Sequence, residues 1–175
     1  MSAPAITVKP GAPVPSEVGE AMKAAFRRHP AGVAIITTMT STGPVGLTAS
    51  SVASVAVDPA AIVFSVTRAT GSAGAILEAE GFVVHLIDDE HSLLAQSFAV
   101  SGAERFTPEQ GWGVLPTGEP HLPAARVALR CRPLQTVAVG SSTVVIAEVV
   151  EVIFGEESRP LVYVDRAFHA LPHTG

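Results

Sequence analysis

Aromatic residues make up only 5% of this chain and charged residues only 15%. With so few large rings, a core has to be assembled from many small aliphatic and β-branched contacts. A surface so short of charge also points to partial cover by a second subunit, so a homodimer is expected. The lone cysteine, Cys131, excludes an internal disulfide and any thiolate metal cluster. It sits among Leu129, Arg130 and Arg132 in a strand-like pattern, which predicts a plain buried thiol. The net charge is −5 with no basic run, so the electrostatic footprint of a nucleic-acid binder is missing. No apolar stretch is long enough for a bilayer-spanning helix, and no membrane association is expected. A phosphate-cradling P-loop and the three-glycine dinucleotide fingerprint are both absent. The six histidines, at positions 29, 85, 91, 121, 169 and 173, show no metal-ligand spacing. No metal site is expected, and His85, flanked by Val84 and Leu86, reads as a structural histidine.

What is present is apolar material, 47% of 175 residues, enough for one domain with a usable core. Residues 1–15 carry four prolines and no apolar stretch. They read as a flexible arm rather than a signal peptide, ahead of a single domain over 16–175, which leads to an expected cytoplasmic location. Glu17 in a first turn, apolar residues at helical spacing through Phe26, and Arg27 and Arg28 before Pro30 predict a short amphipathic helix from Ser16 to His29. A strand from Gly32 to Thr40 follows, then a turn, then one long strand from Val45 to Val57 that Asp58-Pro59 ends. Further strands are expected over Ala61–Thr67, Phe82–Ile87, Arg126–Arg132, Leu134–Val139, Thr143–Phe154 and Leu161–Val164. Two short helices are expected, one ending near Glu80 and one over His91–Val100. Many strands with short turns and three small helices predict a mainly β barrel rather than a βαβ sheet.

Two runs carry chemical information. In Gly46-Leu-Thr-Ala-Ser-Ser-Val-Ala-Ser54, hydroxyls at Thr48, Ser50, Ser51 and Ser54 interrupt a strand. Buried hydroxyls need partners, and such a set suits a ligand with many polar acceptors. In Ser65-Val-Thr-Arg-Ala-Thr-Gly-Ser72, hydroxyls, the Arg68 cation and helix-start amides converge, a way to bind phosphate without a P-loop. An ordinary Ala/Ser-rich edge strand and an ordinary helix cap remain the plain alternatives for these runs.

Taken in order, the chain from Phe26 to Leu171 resembles the flavin reductase-like, FMN-binding split-barrel family. The resemblance rests on Phe26-Arg-Arg-His-Pro-Ala-Gly-Val-Ala-Ile-Ile-Thr-Thr38, Gly46-Leu-Thr-Ala-Ser-Ser51, Val57-Asp-Pro59, Phe82-Val-Val-His-Leu86 and Leu94-Ala-Gln-Ser-Phe-Ala99. It continues through Gly102-Ala-Glu-Arg-Phe106, Val139-Gly140, Ala147-Glu-Val149 and Pro160-Leu-Val-Tyr163 with Arg166. It implies a split β-barrel of Greek-key type, a flavin shared across a dimer interface, and NADH or NADPH stacking on it to deliver hydride. FMN is the implied flavin, with FAD possible, and a monooxygenase is the implied consumer of reduced flavin.

By the same resemblance, Thr48, Ala49, Ser50 and Ser51 meet the ring edge and ribityl chain. Thr67, Arg68, Gly71 and Ser72 hold the phosphate region, Ser65 is a further cofactor-binding residue, and Pro30 and Gly32 lie near the ring. Phe106 matches the aromatic that approaches flavin and nicotinamide, and Tyr163 and Arg166 contribute from the C-terminal strand. The chain departs from the family where Gly140-Ser141-Ser142 replaces the usual Gly-Asp-His and where Val164 stands for a histidine. Ser142 can supply a hydrogen bond there but no cation. Two functions therefore stay open: NAD(P)H-dependent flavin reduction, and flavin binding without efficient turnover.

Overall fold

The computed structural model describes residues 14–172; the expected N-terminal arm lies almost wholly outside them. Helix α1 spans Ser16–Arg27, close to its expected bounds, and none of its residues is buried. Strands β1 (Ala31–Gly32), β2 (Ala34–Thr40), β3 (Gly43–Ala49), β4 (Ala53–Val57) and β5 (Ala60–Thr67) lead to α2 (Ser72–Glu78). Then come β6 (Phe82–Leu86), α3 (Ser92–Ala99), and the short strands β7 (Gly113–Val114) and β8 (Pro120–His121). The chain closes with β9 (Val127–Val139), β10 (Ser142–Phe154), β11 (Leu161–Val164) and β12 (Ala167–Ala170).

Seven strands form one antiparallel sheet in the order β3-β2-β6-β9-β10-β5-β4. The sheet curls without closing, since β3 and β4 remain its two edges, and α2 packs against β2 and β3. This is a mainly β, split-barrel architecture. Its core joins Ile36, Phe64, Ile76, Phe82 and Val84, with Phe64 and Phe82 edge to face at 5.4 Å. A second core under α3 gathers Ile35, Phe98 and Leu122 against Phe106 and Trp112. Cys131 is fully buried, as expected, and burial pushes its thiol up to about 12.

The structure corrects three strand readings. The strand expected from Gly32 to Thr40 parts at Val33 into β1, which pairs with β11, and β2 of the large sheet. The long strand expected from Val45 to Val57 breaks at residues 50–52, because its halves lie on opposite edges of the sheet. At the break the Ser51 hydroxyl does a backbone's work: it accepts from the Ser65 amide at 2.9 Å and donates to the Ser65 carbonyl at 3.2 Å. Conversely, the two strands expected on either side of Pro133 are one, β9. Proline has no N–H to donate to a ladder, and the register shifts there so that Ala147 faces Pro133 while Ile146 faces Gln135. The strand continues through the bulge.

A small sheet, β1-β11-β12, carries Gly32, Tyr163 and the turn that holds Arg166. Strand β12 has no strong sequence signal, but the two-residue turn before it explains the hairpin. Asp165 and Arg166 have φ of 50° and 64°, the left-handed pair that matches strand twist in a type I′ turn. The turn is tied to α1 by the Asp165 amide donating to the Arg27 carbonyl at 2.7 Å.

Candidate functional site

Two cavities adjoin where the small sheet meets the open seam of the barrel. The smaller, about 510 Å³, lies between α3 and the β11–β12 hairpin and is lined by Val33, Thr48, Gln96 and Phe168. The larger, about 910 Å³, runs from the end of α1 past Pro30 and Gly32 to Ser51 and Ser65. Ser50, Tyr163 and Arg166 line both, so the cavities share a wall. Eight residues singled out from the sequence thus come together: Pro30, Gly32, Thr48, Ser50, Ser51, Ser65, Tyr163 and Arg166.

The hydroxyls are not equivalent. Thr48 donates to the Ala95 carbonyl of α3 at 2.6 Å, which leaves only its lone pairs for a ligand. Ser51 is engaged with Ser65 at both its donor and acceptor sites, as described above. The Ser50 hydroxyl has no protein hydrogen bond among the described residues and faces both cavities. The expectation of four ligand-facing hydroxyls on this run narrows to one free donor in the cavities: the seam of the barrel uses Thr48 and Ser51 internally, and Ser54, exposed on β4, lines neither cavity. Ala49 is 6% exposed and packs in the main core, so only its backbone can reach a ligand.

The remaining expected residues line neither cavity. Thr67 continues the outward face of β5 two residues beyond Ser65, and its hydroxyl lies 3.1 Å from that of Ser142. The Arg68 amide donates to the Ser141 carbonyl at 2.9 Å, lacing the β5–α2 turn to the β9–β10 turn. Gly71 opens α2, and the Ser72 hydroxyl accepts from Arg105 at 3.2 Å. Phe106 packs into an aromatic group, 5.0 Å from Phe98 and 4.9 Å from Trp112, on a backbone with φ of 58°. Its ring is half-buried in the second core rather than set in a cavity wall.

A planar, anionic, hydroxyl-rich cofactor fits this setting. Lys23, Arg27 and Arg166 line the larger cavity and supply positive charge. Gly32 borders open space, and a Cβ there would meet nothing within 4 Å. The groups with clearly displaced pKa values lie outside both linings. His85, fully buried, is lowered to about 3, chiefly by desolvation. Its Nδ1–H donates to the Ile35 carbonyl at 3.0 Å while Nε2 accepts from the Leu122 amide at 3.1 Å, as a structural histidine does. Glu119 is lowered as well: burial opposes this, but the Thr117 hydroxyl and Arg130 outweigh it. Neither cavity presents a nucleophile with an attendant base. Among the described residues, no three His, Cys, Asp or Glu are grouped to hold a metal ion.

Sequence reasoning missed Arg105, Gln96 and Phe168. Arg105 stood in the quoted Glu-Arg-Phe motif, and its adjacency to Phe106 was the available signal. Gln96 likewise stood in the Leu94-Ala-Gln-Ser-Phe-Ala99 motif, whereas nothing local marks Phe168; both reach the cavity through the packing of α3 and β12.

A family model described as flavin reductase like domain matches residues 26–172. An NADH:FMN oxidoreductase from Rhodococcus qingshengii is 41% identical over 145 residues, covering 81% of this chain and 76% of that protein. The reductase component of an FADH(2)-dependent resorcinol hydroxylase from Rhizobium sp. (strain MTP-10005) is 30% identical, covering 92% of both chains. Among solved structures, a flavin reductase domain protein from Arthrobacter sp. FB24 superposes with a TM-score of 0.82 at 32% identity, over 90% of this chain and 98% of that one. The fold, the hydroxyl- and cation-lined cavities and these likenesses agree: the chain belongs to the flavin reductase like domain family.

Proposed function

We propose that this protein is an NAD(P)H-dependent flavin oxidoreductase that reduces FMN, and FAD as a second flavin, in the cytoplasm as a homodimer. The observation that carries the reading is the pair of adjoining cavities sharing Ser50, Tyr163 and Arg166 in a chain of this family. Hydride transfer between two planar cofactors needs two contiguous binding volumes. The bound flavin supplies the redox chemistry, accepting a hydride and passing electrons on. The protein's share is orientation and charge. The Ser50 hydroxyl and the backbone of Ala49 meet the ring edge, Ser65 lies along the ribityl chain, and Thr67, Arg68, Gly71 and Ser72 hold the phosphate. Arg166 offsets negative charge at the shared wall. Confining both partners in a fixed geometry lowers the barrier without any side chain gaining or losing a proton.

The Rhizobium relative, named as the reductase component of a hydroxylase, supports delivery of reduced flavin to a partner monooxygenase. The Rhodococcus relative's name supports FMN and NADH as first candidates. Dimerisation is supported by uncovered apolar residues on the sheet: Val57 is 93% exposed and Phe154 79%, with Val55, Leu134 and Val139 also exposed. On α1, Met22 and Phe26 face outward too.

The test is anaerobic. FMN-loaded protein is mixed with NADH or with NADPH, and the visible flavin absorbance is followed. Rapid bleaching with either nucleotide is expected; a flavin that stays oxidised with both overturns the reductase reading. The rival reading, flavin binding without efficient turnover, is favoured by Ser142, whose hydroxyl meets Thr67 where a histidine is usual in the family. On that reading Ser142→His creates or greatly raises reductase activity, and no gain counts against it.

A further inference from the structure

Arg105 is the most heavily engaged side chain near the site, and nothing above assigns it a role. Its guanidinium reaches three elements at once. Nε donates to the Ser97 carbonyl at 3.2 Å and Nη2 to the Val100 carbonyl at 2.6 Å, satisfying the last turn of α3. Nη1 donates to the Gly46 carbonyl of β3 at 2.9 Å and to the Ser72 hydroxyl of α2 at 3.2 Å. The cation also lies over the Phe98 ring, 5.4 Å from its centroid. Gly46 lets Phe98 of α3 lie close against β3, because a Cβ there would lie 2.7 Å from Phe98 and 2.9 Å from the Ile36 carbonyl. Four residues on from Gly46 along the same run is Ser50, and Ser72 closes the run that begins at Ser65.

The bond to Ser72 has a chemical consequence. A serine hydroxyl has one proton and two lone pairs. A cation donating to one lone pair leaves the proton free, polarises the O–H and makes it a stronger donor to an anion. An arginine guanidinium keeps its charge in a protein and holds five donors in a rigid fork. Lysine retains the charge without the fork and cannot serve Gly46, Ser72, Ser97 and Val100 together.

We propose that Arg105 is a positioning residue for the phosphate end of the flavin: it acts through the Ser72 hydroxyl, fixes that donor relative to β3, and so sets the preference for FMN over riboflavin. This deepens the function proposed above and rests on its placing of Ser72 at the phosphate. A merely structural arginine would affect both flavins alike, since they share ring and ribityl chain and differ only in the phosphate.

The experiment measures FMN and riboflavin affinities by quenching of flavin fluorescence, using full-length wild type, Arg105→Lys, Ser72→Ala and the double variant, with melting temperatures alongside. Arg105→Lys is expected to weaken FMN about tenfold, the scale of a hydrogen bond to a charged group, and to change riboflavin less than about twofold. Ser72→Ala is expected to weaken FMN alone, and Arg105→Lys to add nothing in the double variant. Equal weakening of both flavins by Arg105→Lys overturns the proposal, as does no effect on FMN when Ser72→Ala has one. If Ser72→Ala leaves FMN affinity unchanged, the phosphate reading itself falls, and this proposal with it. A measurement on wild type covers failure of Arg105→Lys to fold. The Arg105 guanidinium resonances should shift on adding FMN and stay in place with riboflavin; equal shifts with both refute the role.

Discussion

Acidification from pH 7.5 to 5.0 probes the most deeply buried titratable group in the barrel. His85 is fully buried on β6, and its two ring nitrogens are committed in opposite senses. Only the neutral tautomer with a proton on Nδ1 satisfies both the Ile35 carbonyl and the Leu122 amide, because Nε2 must accept. Protonating Nε2 would place two N–H groups face to face in a site without water's help. Desolvation therefore lowers the pKa from 6.5 to about 3, with the Ile35 bond opposing and the nearby histidines assisting. The linkage has a definite sign. Between pH 6.5 and 3 the unfolded chain binds a proton at this position and the folded chain does not, so stability rises with pH across that window and is lost as pH falls. At pH 5.0, one and a half pH units below 6.5, the loss is about 2 kcal/mol at roughly 1.4 kcal/mol per unit. Asp88 and Glu119 also have lowered pKa values, and they cost stability mainly nearer the carboxylate range, below the pH 5.0 endpoint of the comparison. His121, likewise lowered mainly by burial, adds in the same direction. Urea unfolding at fixed protein concentration, at both pH values and in a His121→Gln background, isolates the His85 share. A difference under about 0.5 kcal/mol between pH 7.5 and 5.0 would refute the reasoning, as would nitrogen NMR showing the His85 ring doubly protonated at pH 5.0.

Other expectations follow from single contacts. Gly46→Ala forces a methyl against Phe98 and the Ile36 carbonyl, so thermal unfolding should show a loss of about 1–3 kcal/mol; an unchanged melting temperature would mean that α3 yields freely. Glu119→Gln breaks the 2.9 Å pair with Arg130, and because Arg130 is partly exposed the cost should be about 2 kcal/mol by chemical denaturation, below that of a fully buried pair. Val57→Asp places a charge on the most exposed apolar side chain of β4; light scattering should show a monomer, and a dimer of unchanged affinity would remove this edge from the interface.

Period and composition made most of the barrel legible. Runs of Val and Ile bounded by Gly, Pro or Ser marked the strands that the core uses on both sides, and Arg27, Arg28 and Pro30 bounded α1 closely. Boundaries failed where side chains replaced backbone partners. Residues 50–52 look like strand because Ser and Val tolerate extension, yet the chain leaves one sheet edge there for the other, and only the Ser51–Ser65 bonds reveal it. Strand β12 was invisible because Asp165-Arg166 lacks the Asn-Gly or Asp-Gly signature of a type I′ turn. At the site, residue types were readable but hydrogen-bond destinations were not. Thr48 and Ser51 read as ligand groups from their chemistry alone, whereas their partners, Ala95 and Ser65, come from distant positions in sequence. The partners of Arg105 were hidden for the same reason: its motif beside Phe106 marks the residue, but its acceptors lie on β3, α2 and α3, far away in sequence.

The backbone adds a physical argument about how such a site works. Among the described residues, four without a glycine's freedom have positive φ: Arg68, Phe106, Asp165 and Arg166. Three of these are positions that the family resemblance singles out, and the fourth shares a turn with Arg166. Each sits in a region that ordinarily costs about 1–3 kcal/mol, so the surrounding packing must hold it there. For Arg68 the holder is the hydrogen bond from its backbone N–H to the Ser141 carbonyl, for Phe106 the packing with Phe98 and Trp112, and for Arg166 the β11–β12 hairpin. Such devices fix the direction of a side chain or an amide before any ligand arrives. A reaction that asks a protein for orientation rather than for acids and bases gains most from this arrangement. The holding contacts are backbone bonds and aromatic packing, and beside Arg68 the Ser142 hydroxyl adds its contact with Thr67 at 3.1 Å.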